Sequence, residues 1–145
     1  MKSARKYWIS TIAAAALYLL CPSAEAGTWK ALPRWAGGTQ CGVTLHHGNV
    51  NYQVCLGYSA RRRSVQSFVA MVNHSGSDRQ IAATSICVTR NGQCVPGSID
   101  SCPETTLRRR RQLVCLSHTV PNQAGTGGRF KGVIEDHALP ILSFH

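Results

Sequence analysis

Between Cys41 and Leu56 hydrophobic and polar positions alternate on either side of Gly48-Asn49. With a two-residue turn there, Cys41, Val43, Leu45, Val50, Tyr52, Val54 and Leu56 share one face, and Thr44, His46, Asn51, Gln53 and Cys55 share the other. Period-two segregation across a Gly-first turn predicts a β-hairpin. It also puts Cys41 and Cys55 on opposite faces, so each is expected to pair outside the hairpin unless a bulge intervenes.

Further along, Val65, Phe68, Val69 and Val72 recur at i, i+3, i+4 and i+7, with Ser64 as a plausible N-cap and Gly76 as a stop. That spacing predicts one short helix near residues 64–74. Residues 80–90 and 93–96 flank Asn91-Gly92, a strong two-residue hairpin signal. In that register Thr89 faces Cys94 and Val88 faces Val95, leaving Cys87 and Cys94 diagonal on one face. A loop is expected from Pro96 to Thr106, then strands near 112–120 and 129–135 separated by the turn-forming run PNQAGTGG. Residues 27–40, with Trp29, Pro33, Trp35 and Gly37-Gly38, read as an irregular lead-in. The expected class is α+β: a small antiparallel sheet of five to six strands with one helix. That order accommodates an OB-like barrel by fold-level analogy.

The first 26 residues follow a different logic. Lys2, Arg5 and Lys6 precede an uncharged, mostly apolar run of 13 residues, Trp8 to Leu20, and Ala24-Glu25-Ala26 supplies small residues before a cut. This is the three-part pattern of a secretory signal peptide, with cleavage expected between Ala26 and Gly27. The run is shorter than the ~20 residues that span a bilayer, and no later stretch is long enough. Leu20 before Cys21 argues against lipid attachment. The expected product is a single secreted domain, residues 27–145, exported to a periplasm or beyond the cell.

Cleavage turns seven cysteines into six: Cys41, Cys55, Cys87, Cys94, Cys102 and Cys115. In an oxidising compartment a small domain with an even cysteine count is expected to carry disulfides, here three. The closest spacings, Cys87 to Cys94 and Cys94 to Cys102, are too wide for the usual Cys-x₂₋₄-Cys zinc pairs, so no metal and no cofactor is expected.

Charge narrows the chemistry. Residues 27–145 keep 13 basic and five acidic residues, a formal +8, and 11 of the 13 are arginine. Seven lie in two runs, Arg61-Arg62-Arg63 and Arg108-Arg109-Arg110-Arg111. Planar guanidinium forks suit phosphate, sulfate and carboxylate, so the runs are candidate anion-binding sites. They also match the cleavage sites of basic-specific processing proteases. Trp29 and Trp35 are candidate stacking platforms, against the simpler role of covering a core edge.

Catalytic signals are sparse. His46 and His118 with a nearby arginine are the weak candidates for acid–base cleavage of a phosphodiester. The Cys-Lys-x-x-Asn-Thr-Phe stretch of pancreatic ribonucleases is absent. Adjacent His46 and His47 point to opposite faces of a strand and make no metal clamp. No nucleophile elbow, phosphate-binding glycine loop or His-Glu-x-x-His occurs. Asn73-His74-Ser75 is a formal glycosylation sequon.

The sequence therefore favours an exported, basic, disulfide-bonded binding module rather than an enzyme. Its expected partner is anionic: a glycan, an envelope polymer, a lipid headgroup or an acidic protein surface. That class extends to host-interaction and virulence proteins. The alternatives are a small secreted hydrolase such as a ribonuclease, using His46 and His118, and a subunit of an exported assembly.

Overall fold

The computed structural model describes residues 26–145, so the first 25 residues, which hold nearly all of the expected signal peptide, lie outside the described residues. Thirteen strand segments follow in order. The first seven are β1 (Trp29–Lys30), β2 (Thr39–Cys41), β3 (Leu45–His47), β4 (Val50–Tyr58), β5 (Ser64–Asn73), β6 (Arg79–Arg90) and β7 (Gln93–Cys94). The rest are β8 (Asp100–Leu107), β9 (Gln112–Leu116), β10 (Val120–Pro121), β11 (Thr126–Ile134), β12 (His137–Ala138) and β13 (Leu142–Phe144).

They form two antiparallel sheets. The first runs β1-β9-β5-β4-β2, with β3 also pairing β4 and β10 also pairing β5. The second runs β12-β11-β6-β7, with β8 also pairing β6 and β13 also pairing β11. Alternate residues of each sheet meet in between. Val50, Tyr52, Val54, Val69 and Met71 from the first sheet form one buried cluster with Ile81, Ala83, Ile86, Phe130 and Ile134 from the second. The Tyr52 and Phe130 rings meet at 6.1 Å across the layers. This is a β-sandwich, each sheet burying one face against the other.

The expected α+β class and its OB-like variant are thus overturned: the fold is nearly all strand, in two sheets, and the only helical piece among the described residues is a 3-10 turn at Ala60–Arg62. Ser64–Asn73, expected as the helix, is the central strand β5, hydrogen-bonded to β4 on one side and β9 on the other. Both its faces are covered, which erases the period-two signal and leaves a run that mimics a helical stripe. Its polar residues do not break the strand. The Gln66 amide donates to the Ser117 carbonyl at 2.8 Å, and the Ser67 backbone N–H to Ser117 Oγ at 2.9 Å. The expected Pro96–Thr106 loop likewise contains most of β8, an edge strand, where Pro103 costs no ladder bond that another strand needs.

The hairpin at Gly48-Asn49 forms as expected, His47 facing Val50, with positive φ at both turn residues (53° and 63°). Its outer half departs from the expected register. Leu45 faces Tyr52 while Cys41 faces Cys55, so Gly42, Val43 and Thr44 oppose only Gln53 and Val54. That bulge flips the faces beyond it. Val43 is turned out to solvent, 67% exposed, and Cys41 joins Cys55 in a disulfide at a Cα separation of 4.0 Å. The expectation that these two cysteines pair elsewhere is corrected by that single extra residue. Cys87–Cys94 clips β6 to β7, in the register with Thr89 facing Cys94, and Cys102–Cys115 joins β8 of the second sheet to β9 of the first.

Candidate anion-binding surfaces

The two arginine runs occupy the turns at opposite ends of the first sheet. Arg61–Arg63 lie in the β4–β5 connection, which Ser59 closes by donating its backbone N–H to the Ser64 carbonyl at 3.0 Å and accepting the Ser64 N–H on its hydroxyl at 2.9 Å. Arg61 and Arg62 have φ of 60° and 53°, a left-handed pair that turns the chain sharply. Arg62 is engaged: its Nε donates to the Gly37 carbonyl at 3.0 Å and its guanidinium lies 4.4 Å from the centre of the Tyr58 ring. Arg61 and Arg63 are exposed, and their side chains have no hydrogen bond or ion pair among the described residues.

Arg108–Arg111 form the β8–β9 turn, closed by Arg111 N–H to the Arg108 carbonyl at 3.1 Å, with Arg110 at φ 59°. Asn73, at the far end of β5, grips the turn by donating to Arg111 and accepting from Arg110. The Asp78 carboxylate accepts the backbone N–H of Arg109 at 3.0 Å. All four side chains are exposed, and none meets a carboxylate at ion-pair distance among the described residues. Ten residues of β5 separate this turn from Arg61–Arg63, on the order of 30 Å at strand rise. The seven arginines therefore make two sites, not one.

Among the described residues only Arg79 pairs with a carboxylate, Glu135 at 3.9 Å. A second contact of this kind joins His118 Nε2 and Asp100 Oδ2 at 3.0 Å. On β3, His46 has its Nδ1 2.6 Å from Oδ1 of Asn51 on β4. His46 sits level with Val72 of β5, whereas Ser117, just before His118, bonds Ser67. The two histidines are thus roughly 20 Å apart along the strands and three strands apart across them, too far to act on one phosphate.

Both tryptophans pack against the protein. Trp29 pairs with Cys115 and its indole N–H donates to the Pro103 carbonyl at 2.7 Å. Trp35 lies flat on Phe68, ring centres 4.5 Å apart and planes within 11°, covering the outer face of the first sheet. Gly57 makes this possible, because a Cβ there would come within 2.1 Å of the indole. Asn73, the sequon residue, is fully buried. Its amide donates to the carbonyls of Ser77 and Leu107, and its oxygen accepts from Ser75.

The outer face of the first sheet also carries something the arginine runs did not signal. A cleft of about 360 Å³ opens between the lead-in residues Pro33, Arg34 and Trp35 and a floor of Cys55, Phe68 and Ala70. A second of about 220 Å³ continues toward Thr44, Asn51, Val72 and His74. The two share Gln53, Ala70 and Gln112, so they form one groove. The hairpin alternation had placed Asn51 and Gln53 away from the core; adding Gln112 beside them required the β5–β9 pairing.

Among the described residues no group of three or more His, Cys, Asp or Glu could hold a metal, and no helix is long and apolar enough to cross a membrane. No protein-family model matches the chain, and no curated protein is similar to it in sequence.

Proposed function

We propose that this protein is an exported, disulfide-stabilised binding protein whose partner is an anionic polymer or an acidic protein surface. The observation that carries the reading is the state of its arginines. Six of the seven in the two runs are exposed without an internal acceptor for their side chains, at two separate turns. Unpaired guanidinium groups cost little when solvated and gain charge-assisted, bidentate bonds when an anion arrives. Two basic sites far apart suit a partner with repeated charge better than a single small anion. Three formed disulfides are consistent with export.

Retention on immobilised heparin and binding of long-chain polyphosphate, each followed against salt concentration, test the reading. Wild-type binding should fall steeply with salt. Arg61→Gln/Arg63→Gln and the four-fold Arg108–Arg111→Gln variant should each weaken it, and their combination should abolish it. Equal retention of the combined variant, or no binding to either polyanion in low salt, overturns the proposal.

A further inference from the structure

We infer that the groove on the outer face of the first sheet is a binding site for an anionic oligosaccharide; this rests on the anion-binding reading and specifies its ligand. Charge comes first. Arg34 lines one cleft, the Arg108–Arg111 turn runs directly into Gln112 where the two clefts meet, and no carboxylate among the described residues lines either cleft. Asp78 is the one acid tied to that turn, through the backbone of Arg109.

The rest of the lining is suited to hydroxyl groups. Gln112 is exposed and its amide has no partner among the described residues. Gln53 donates one N–H to the Gly42 carbonyl at 3.1 Å, leaving its oxygen to accept. Each amide offers donor and acceptor together, the pairing a sugar hydroxyl requires and a phosphate does not. Ala70 and Val72 give the floor an apolar strip, and Trp35 forms a wall against which the C–H face of a sugar ring packs. From Phe68 to Val72 the floor extends about 13 Å, enough for an oligosaccharide rather than one ring.

An acidic peptide fits this groove less well. Extended peptides gain affinity by pairing with a free strand edge. Here the floor is β4, β5 and β9, whose ladder bonds are already made to one another. The floor therefore presents side chains rather than an open ladder, which favours a ligand recognised through hydroxyls and charge.

The test compares a heparin-derived hexasaccharide with polyphosphate of matched charge, using the whole protein. Gln112→Ala should weaken hexasaccharide binding about three- to tenfold, the value of one hydrogen bond, and leave polyphosphate unchanged. Ala70→Phe, which fills the shared floor at constant charge, should weaken it further. In the wild type, hexasaccharide but not polyphosphate should shift the Trp35 indole N–H resonance, a readout that survives if Ala70→Phe fails to fold. Undiminished hexasaccharide binding by Gln112→Ala together with an unmoved Trp35 signal overturns the groove. If arginine variants still lose both polyanions in that case, the broader anion-binding reading stands alone. Loss of neither overturns both.

Discussion

Gly57 faces Trp35 so closely that alanine there should unseat the indole. The backbone at Gly57 is not in the left-handed region, so the substitution is conformationally allowed and only the collision matters. The added methyl carbon would lie 2.1, 2.3 and 2.4 Å from three indole atoms belonging to a rigid ring sandwiched against Phe68. Displacing Trp35 forfeits an aromatic pair worth about 0.5–1.5 kcal/mol. It also exposes part of Phe68, now 2% accessible, and part of the indole. Taking half of the ~1.5–3 kcal/mol for a large apolar side chain at each ring adds about 1.5–3 kcal/mol. Alanine recovers roughly 0.5–1 kcal/mol over glycine in a strand, so the net loss should be about 1–4 kcal/mol. Urea unfolding of wild type, Gly57→Ala, Trp35→Ala and the double variant measures it. Because both changes remove the same contact, the double variant should be no less stable than Trp35→Ala alone. A Gly57→Ala protein within 0.5 kcal/mol of wild type (about the size of ordinary surface effects), or two losses that simply add, would refute the packing argument.

Removing the inter-sheet disulfide with Cys102→Ala/Cys115→Ala should cost about 3 kcal/mol in denaturant midpoint terms, from the 13-residue separation it closes; no loss would mean the sandwich needs no cross-link there. Met71→Ala, fully buried between the sheets, should cost about 2–5 kcal/mol by the same assay. Burial raises the Tyr52 phenol above its ordinary 10.0, so above pH 10 the unfolded chain loses that proton first and stability falls with rising pH up to the raised value. Tyr52→Phe should flatten that alkaline decline, and an unchanged slope above pH 10 would reject the assignment. Intact mass of the exported protein should correspond to a start at Gly27 and rise by six hydrogens on reduction; retention of residues 1–26 or free thiols would contradict export with three disulfides.

What the sequence disclosed was local. The Gly48-Asn49 turn and the pairing of Thr89 with Cys94 follow from residues a few positions apart, and both are found as read. What it hid depends on neighbours brought from far along the chain. Val65, Phe68, Val69 and Val72 look helical only because the second sheet covers one face of β5 and Trp35 packs on the other, a circumstance no window of ten residues records. Cys41 meets Cys55 because of one unpaired residue, and one residue is all it takes to exchange the faces of a strand. For the site, the charge was plain and its geometry was not. Whether Arg61 and Arg108 are neighbours or about 30 Å apart is decided by the length and direction of β5. The groove needed still more, since Gln53 and Gln112 become adjacent only through β5.

The cross-links also bear on how the chain reaches its native state. The three disulfides span 14, 7 and 13 residues, each joining positions close in sequence. The sheets are stitched from much farther apart: Phe68 to Leu116, Ile86 to Phe130, and Arg79 to Leu107. Closing a short loop is entropically cheap, whereas strand pairing across tens of residues is the slow part of assembling a sandwich. Each cysteine is bonded to the one before or after it in the order 41–55, 87–94, 102–115, so none of the three cross-links needs a distant segment to be delivered before it can close. The cross-links therefore act as local clips, which shorten the loops that the long-range pairings of β5 and β6 must close without themselves fixing which strands pair.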